Sequence, residues 1–146
     1  MKYVLGADVL IGALDGSDAH HEHSRQLFQS WHEHDDALLL SVVNLSEVLV
    51  APAGDRQRLR TAREAIAALG ITVHAPNEAL GVEAARLRSR YPISLPDGYL
   101  LATAKSTRAT AVSFDGKILR AAKTERIPTL SDRPTGSTTR DRDDYS

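Results

Sequence analysis

Apolar residues along this chain alternate between short unbroken runs and longer stretches with one apolar face. Tyr3-Val4-Leu5 is short and β-prone, and Gly6-Ala7-Asp8 then leads into Val9-Leu10-Ile11; this predicts a buried first strand feeding a helix. Leu27, Phe28 and Trp31 predict a second helix from His21 to about His34. Ala37 to Val43 begins as a strand, and Ser41 stands where it can cap a third helix carrying Leu45, Val48 and Leu49, which stops near Pro52-Ala53-Gly54. Asp55 opens a fourth helix with Leu59, Ala62, Ile66 and Leu69 on one face, and Gly70 is its stop. Ile71-Thr72-Val73 reads as a strand. Pro76 introduces a helix running toward Arg90, and Leu95-Pro96-Asp97 starts another through Leu100, Leu101 and Ala104. Thr110 to Phe114 reads as a strand, Lys117 to Lys123 as a helix, and Pro128-Thr129-Leu130 as a short last strand. Strands alternating with helices imply an α/β fold with a mainly parallel sheet covered on both faces.

Composition narrows this little. The 146 residues are 42% hydrophobic and 25% charged, ordinary for one globular domain, here expected over residues 1–134. From Thr135 the chain is Gly, Ser, Thr, Asp and Arg with Tyr145 as its only large apolar side chain, so a disordered tail is expected over 135–146. The formal net charge of -1 argues against a protein that wraps duplex DNA, but is compatible with an enzyme holding a short stretch of RNA through a few arginines. With no cysteine, disulfide scaffolds, thiolate zinc sites and cysteine nucleophiles are excluded. Asp8 interrupts the N-terminal apolar run, and no run approaches a membrane span, so a soluble, cytoplasmic protein is expected.

Three carboxylates stand out. Glu47 lies four residues after Val43 and three before Val50, on what reads as one apolar helical face. Asp97 precedes Leu100, Leu101 and Ala104 at i+3, i+4 and i+7. A carboxylate facing a core is costly unless a cation or several donors meet it. Asp115 follows a predicted parallel strand at its carboxyl end, where open α/β sheets place their ligands. Hard oxygen donors of this kind suit Mg²⁺ or Mn²⁺. Each acid also has an ordinary reading. Glu47 can be a satisfied or exposed acid, Asp97 the acid of a capping box begun at Ser94, and Asp115-Gly116 a turn pair. The joint arrangement favours the site.

In their order and spacing these segments resemble the PIN-domain ribonucleases, specifically the VapC-like toxins of type II toxin–antitoxin pairs. Lys2-Tyr3-Val4-Leu5-Gly6-Ala7-Asp8-Val9-Leu10-Ile11 is similar to that family's opening strand. Asn44-Leu45-Ser46-Glu47-Val48-Leu49 is similar to its conserved-acid helix, and Leu95 to Ala104 to its third-acid helix. Val112-Ser113-Phe114-Asp115-Gly116-Lys117 is similar to its last acidic turn. The resemblance implies a three-layer α/β/α sandwich with a five-stranded, mainly parallel sheet in the order 3-2-1-4-5. It implies Mg²⁺-dependent (or Mn²⁺-dependent) cleavage of RNA, often tRNA or rRNA, with Glu47, Asp97 and Asp115 catalytic and metal-binding. It also implies a small VapB-like antitoxin partner and a homodimer.

One position departs from the family. Its first acid aligns with Gly6, so the aspartate ligand expected there is missing, and Asp8 stands where relatives carry Asn or Ser. Three explanations compete. The chain is an inactivated toxin, natural or engineered, since one base separates Asp from Gly codons and an active toxin poisons its host. Or Asp8 moves in to supply the lost metal ligand, against its ordinary reading as the N-cap of the first helix. Or the chain is a non-catalytic PIN-like module that binds antitoxin or RNA. The sequence favours the first, with impaired metal binding and weak or absent cleavage.

Other features weigh less. His20, His21, His23, His32 and His34 have no accompanying ligand pattern and read as a solvated face. Arg56, Arg58, Arg60 and Arg63 read the same way, with RNA or antitoxin contact as the alternative. Lys117 and Arg120, close to Asp115, are better candidates for phosphate contact, and Ser41 and Ser113 for orienting the acids. A phospho-acceptor receiver domain is disfavoured, because it wants adjacent acids after the first strand and a lysine ending the last.

Overall fold

The computed structural model describes residues 1–130; the tail expected over 135–146, and the end of the domain expected to 134, lie outside the described residues. Among the described residues four strands, β1 (Lys2–Leu5), β2 (Ala37–Ser41), β3 (Ile71–His74) and β4 (Thr110–Val112), pair in parallel in the order β3-β2-β1-β4. The helices are α1 (Ala7–Leu14), α2 (His21–Glu33), α3 (Val42–Leu49), α4 (Arg56–Ala68), α5 (Glu78–Arg90), α6 (Leu95–Thr107) and α7 (Gly116–Thr124), with a 3₁₀ turn at Pro52–Gly54.

The side-chain period of two along each strand divides the core into two layers. Tyr3, Leu5, Leu38, Leu40 and Val112 pack on one face with Val9 and Leu10 of α1, Phe28 and Trp31 of α2, Val48 of α3 and Ile66 of α4. Val4 and Ala111 face the other way, against Leu80, Ala84 and Leu87 of α5, Leu100 and Leu101 of α6 and Ile118 of α7. The result is the three-layer α/β/α arrangement. α6 is buried on most sides, from Gly98 to Ala104. Gly98 is required by the α5–α6 contact, since a Cβ there would lie 2.6 Å from the Ala84 carbonyl oxygen.

The fifth strand expected at Pro128-Thr129-Leu130 contracts to a single parallel bridge between Thr129 and Ala111, with Ala111 N donating to Pro128 O at 2.9 Å. Pro128 has no N–H to extend a ladder. Helix starts follow their capping residues. Ser41 accepts from Val43 N, Asp55 from Gln57 N, and Asn77, rather than the preceding Pro76, from Leu80 N. The chain runs from β1 to β2 on one side and returns to β4 on the other. The carboxyl ends of β1 and β4 therefore meet at a topological switch point, with Leu5 beside Val112 and Gly6 N donating to Val112 O at 2.9 Å.

Candidate active site

A cleft opens at this switch point. It is lined by Gly6, Ala7 and Asp8 after β1, Asn44 and Glu47 of α3, Asp97 and Leu100 of α6, and Asp115 and Ile118 at α7. The three acids singled out from the sequence therefore meet in one place, and Asp8 joins them.

Each acid is held differently. Glu47 Oε1 accepts from Asn44 Nδ2 at 3.1 Å, and the same amide nitrogen donates to Pro96 O at 3.1 Å, tying α3 to the start of α6. Burial pushes the Glu47 carboxyl above its usual range; the Asn44 hydrogen bond opposes this, and the charges of Asp97 and Asp8 add to it. Glu47 does not share a buried face with Val50. α3 ends at Leu49, and Val50 turns out to 73% exposure. The buried neighbours on α3 are Asn44 and Val48.

Asp97 completes a capping box: Ser94 Oγ accepts from Asp97 N at 3.2 Å and Asp97 Oδ2 accepts from Ser94 N at 3.0 Å. The ordinary reading of Asp97 therefore holds alongside its place in the cleft, because the second oxygen takes no part in the cap. Asp115 is likewise the N-cap of α7, with Oδ1 accepting from Lys117 N at 2.8 Å.

Asp8 is not the N-cap of α1. Gly6 occupies that position without a side-chain cap, and Asp8 lies inside the first turn. Its Oδ1 accepts from Val9 N at 2.9 Å, while Oδ2 accepts from Ser113 Oγ at 3.0 Å and Phe114 N at 2.8 Å. Ser113 Oγ also accepts from Asp115 N at 3.1 Å, so one hydroxyl joins Asp8 to the Asp115 loop. Ser41 bonds none of these acids; its buried hydroxyl is used to cap α3.

Lys117 and Arg120 are exposed beside Asp115, with the Arg120 guanidinium folded back toward Gly116. Arg56, Arg58, Arg60 and Arg63 are exposed on α4. His20, His23, His32 and His34 are exposed, as a solvated face requires, and His21 is half-buried. His20 stacks on Phe114 at 4.4 Å between ring centroids, and His23 tilts against the same ring at 5.0 Å. Burial pushes the His23 pKa down, and nearby His20 adds to this. His21, His32 and His34 engage the backbone carbonyls of Gly12, Leu69 and Ser30.

Asn44 is the site residue that sequence reasoning passed over. It is 1% exposed, and its Oδ1 is buried without a hydrogen-bond partner. A polar residue at i−3 from an acid on an apolar helix was the available signal.

Among the described residues, no three acid, histidine or cysteine side chains stand ready-made as an ion cage. The donor set is nevertheless the right kind for a hard divalent cation: carboxylates, an unpartnered amide oxygen, and crowding of like charge that a cation relieves. No helix among the described residues is long and apolar enough to cross a membrane.

The PIN domain family model matches residues 3–124. No curated protein matches. Among solved structures, Mycobacterium tuberculosis VapC20, described as a sarcin-ricin loop cleaving toxin, is 17% identical with a TM-score of 0.68, covering 82% of this chain and 94% of its own. A toxin–antitoxin complex from Klebsiella pneumoniae is 22% identical with a TM-score of 0.65, covering 80% of this chain and 89% of that one. FitAcB from Neisseria gonorrhoeae is 22% identical with a TM-score of 0.63, covering 83% and 93%. At these identities the likeness is one of fold.

Proposed function

This chain belongs to the PIN domain family, and on that premise we propose that it is a Mg²⁺-dependent or Mn²⁺-dependent endoribonuclease toxin of a toxin–antitoxin pair, impaired at its first acidic position. The observation that carries the reading is the convergence of Glu47, Asp97 and Asp115 on one cleft at the switch point. Glu47, Asp97 and Asp115 would hold the cation. When bound, it supplies positive charge that neutralises a phosphodiester and acidifies water.

The chain's own side chains do the remaining work. Asn44 fixes Glu47 through Oε1, leaving Oε2 for the cation. Lys117 and Arg120 contact flanking phosphates. Gly6 contributes no ligand, so metal affinity and cleavage fall below those of a chain with an acid there. The partner is a VapB-like antitoxin, in keeping with the toxin–antitoxin complexes among chains of this fold, and the protein acts in the cytoplasm as a homodimer. The absence of a ready-made ion cage among the described residues favours a second reading, a module that binds antitoxin or RNA without cutting.

The test is cleavage of tRNA and rRNA with Mg²⁺ or Mn²⁺, with and without EDTA. The variants are Asp97→Asn and a chain carrying Gly6→Asp with Asp8→Asn. The expected result is weak metal-dependent cleavage by the parent, loss in Asp97→Asn, and stronger cleavage in the doubly substituted chain. No metal-dependent cleavage and no growth arrest from either parent or double variant would remove the toxin reading and leave the binding module.

A further inference from the structure

Residue 6 is in place in the sheet register, and its side-chain space is bordered by the end of another side chain. A Cβ built on Gly6 would lie 2.7 Å from Asp8 Oδ1, 3.2 Å from Val112 O and 3.3 Å from Leu100 Cδ2. The last two contacts are tight; the first is closer than any real Cβ approaches, so the flexible end of Asp8 would have to shift. The Asp8 carboxylate thus sits where a side chain from residue 6 would enter the cleft. It is fixed there by three donors, Val9 N, Ser113 Oγ and Phe114 N, two of which lie beyond the end of β4. Asp8 lines the same cleft as Glu47, Asp97 and Asp115.

A second, independent feature of that cleft points to a missing ligand. Asn44 lines it, is 1% exposed, and has an Oδ1 with no donor. Rotating the amide does not help, because Nδ2 serves Pro96 O, which can only accept. A buried polar atom left unpaired is costly, and a cation or its hydration shell would satisfy it.

We propose that Asp8 supplies the β1-end carboxylate of the divalent-cation site in place of residue 6. This rests on the metal-dependent reading above and changes its chemistry at one corner. The carboxylates at 6 and 8 are then alternatives. An aspartate at position 6 shifts the flexible end of Asp8 and sets two carboxylates against each other, so Gly6→Asp alone gives a crowded corner, whereas Gly6→Asp combined with Asp8→Asn removes the second charge and gives a family-like one. Asp8 is also a weaker ligand than a free carboxylate, since Oδ2 already receives two donors.

The test is Mn²⁺ binding to the full chain at pH 7, read by calorimetry and by the free-Mn²⁺ paramagnetic resonance signal. The chains are the parent, Asp8→Asn, Asp8→Ser, Asp97→Asn, and Gly6→Asp with Asp8→Asn. Asn keeps an acceptor for Ser113 and Phe114 while losing the charge; Ser removes both, and melting curves without metal verify that each variant folds. Asp8→Asn and Asp8→Ser are each expected to weaken Mn²⁺ binding at least about tenfold, and the double variant to bind at least as tightly as the parent. Parent-like binding in folded Asp8→Asn, with binding lost in Asp97→Asn, would overturn the relocation and leave the nuclease reading standing. No Mn²⁺ binding by parent or double variant would overturn both.

Discussion

At the scale of the residue, the cleft concentrates negative charge that the metal-free fold has to tolerate. Glu47 is partly buried, and Asp97 and Asp8 both act on it; one hydrogen bond from Asn44 is the compensation. Sites built for a ligand commonly carry such a penalty in its absence. Glu47→Gln keeps the side-chain shape and can still accept from Asn44, while removing the charge that burial and the two aspartates oppose. The metal-free variant is therefore expected to melt a few degrees above the parent at pH 7. That gain should shrink or reverse in Mg²⁺, because a cation that binds only the folded chain stabilises the parent more. Scanning calorimetry of both proteins with EDTA and with Mg²⁺ checks this, and a lower melting temperature for metal-free Glu47→Gln would show that the carboxylate is satisfied without a cation.

At the scale of the elements, α5, α6 and the end of α7 are joined by a charged cluster away from the cleft. Glu83 bonds Arg86 at 2.7 Å and Lys105 at 3.0 Å, and Arg86 also reaches Glu125 at 2.9 Å, which accepts from the Tyr91 hydroxyl. The Arg86 hydrogen bond, aided by Lys105 and opposed by partial burial, holds the Glu83 carboxyl down to about 2. Because the folded value lies below the ordinary 4.5, the unfolded chain binds more protons between those two pH values. The contribution is complete above pH 4.5 and is lost as pH falls toward 2. Glu83→Gln is expected to cost roughly 1 kcal/mol at neutral pH after solvent screening and to flatten the fall in stability across that acid window. Urea titrations at several pH values measure it, and an unchanged acid slope would assign the fall to other carboxylates.

The same scale separates what was legible in the sequence from what was not. Helix starts were legible at Ser41, Asp55 and Ser94–Asp97, because a cap and the amide it serves lie within three residues. The parallel sheet followed from the alternation of elements, and the order of its strands from the resemblance to a known pattern, which together placed Glu47, Asp97 and Asp115 in one site. Val50 was misassigned because one helical turn was extended past the real end of α3. The fifth strand, Pro128-Thr129-Leu130, is reduced among the described residues to one bridge, which the triplet itself does not reveal. The place of Asp8 depends on Ser113 and Phe114, 105 and 106 residues away, so local spacing favoured a helix cap that does not form.

At the scale of the whole molecule, the proposed function asks a chain of net charge -1 to bring a polyanion to an acidic cleft. Long-range attraction contributes little here, so on that reading binding depends on the few cations at the rim and on the metal. Lys117 and Arg120 are the exposed cations next to Asp115, whereas the four arginines of α4 lie on a separate helix. Each phosphate neutralised on a single strand contributes about -0.7 to the slope of log K against log salt. Two such contacts predict a slope of about -1.4 for single-stranded RNA binding to Asp97→Asn in metal-free buffer, where the strand is not cut. Lys117→Ala and Arg120→Ala should each make the slope shallower by about 0.7 and weaken binding to different sequences alike, since phosphate contacts carry no base information. Fluorescence anisotropy across a salt series reads both quantities. A slope several units steeper, retained in the Lys117 and Arg120 variants but lost on replacing Arg56 and Arg60, would move the RNA path onto α4 and away from the α7 rim.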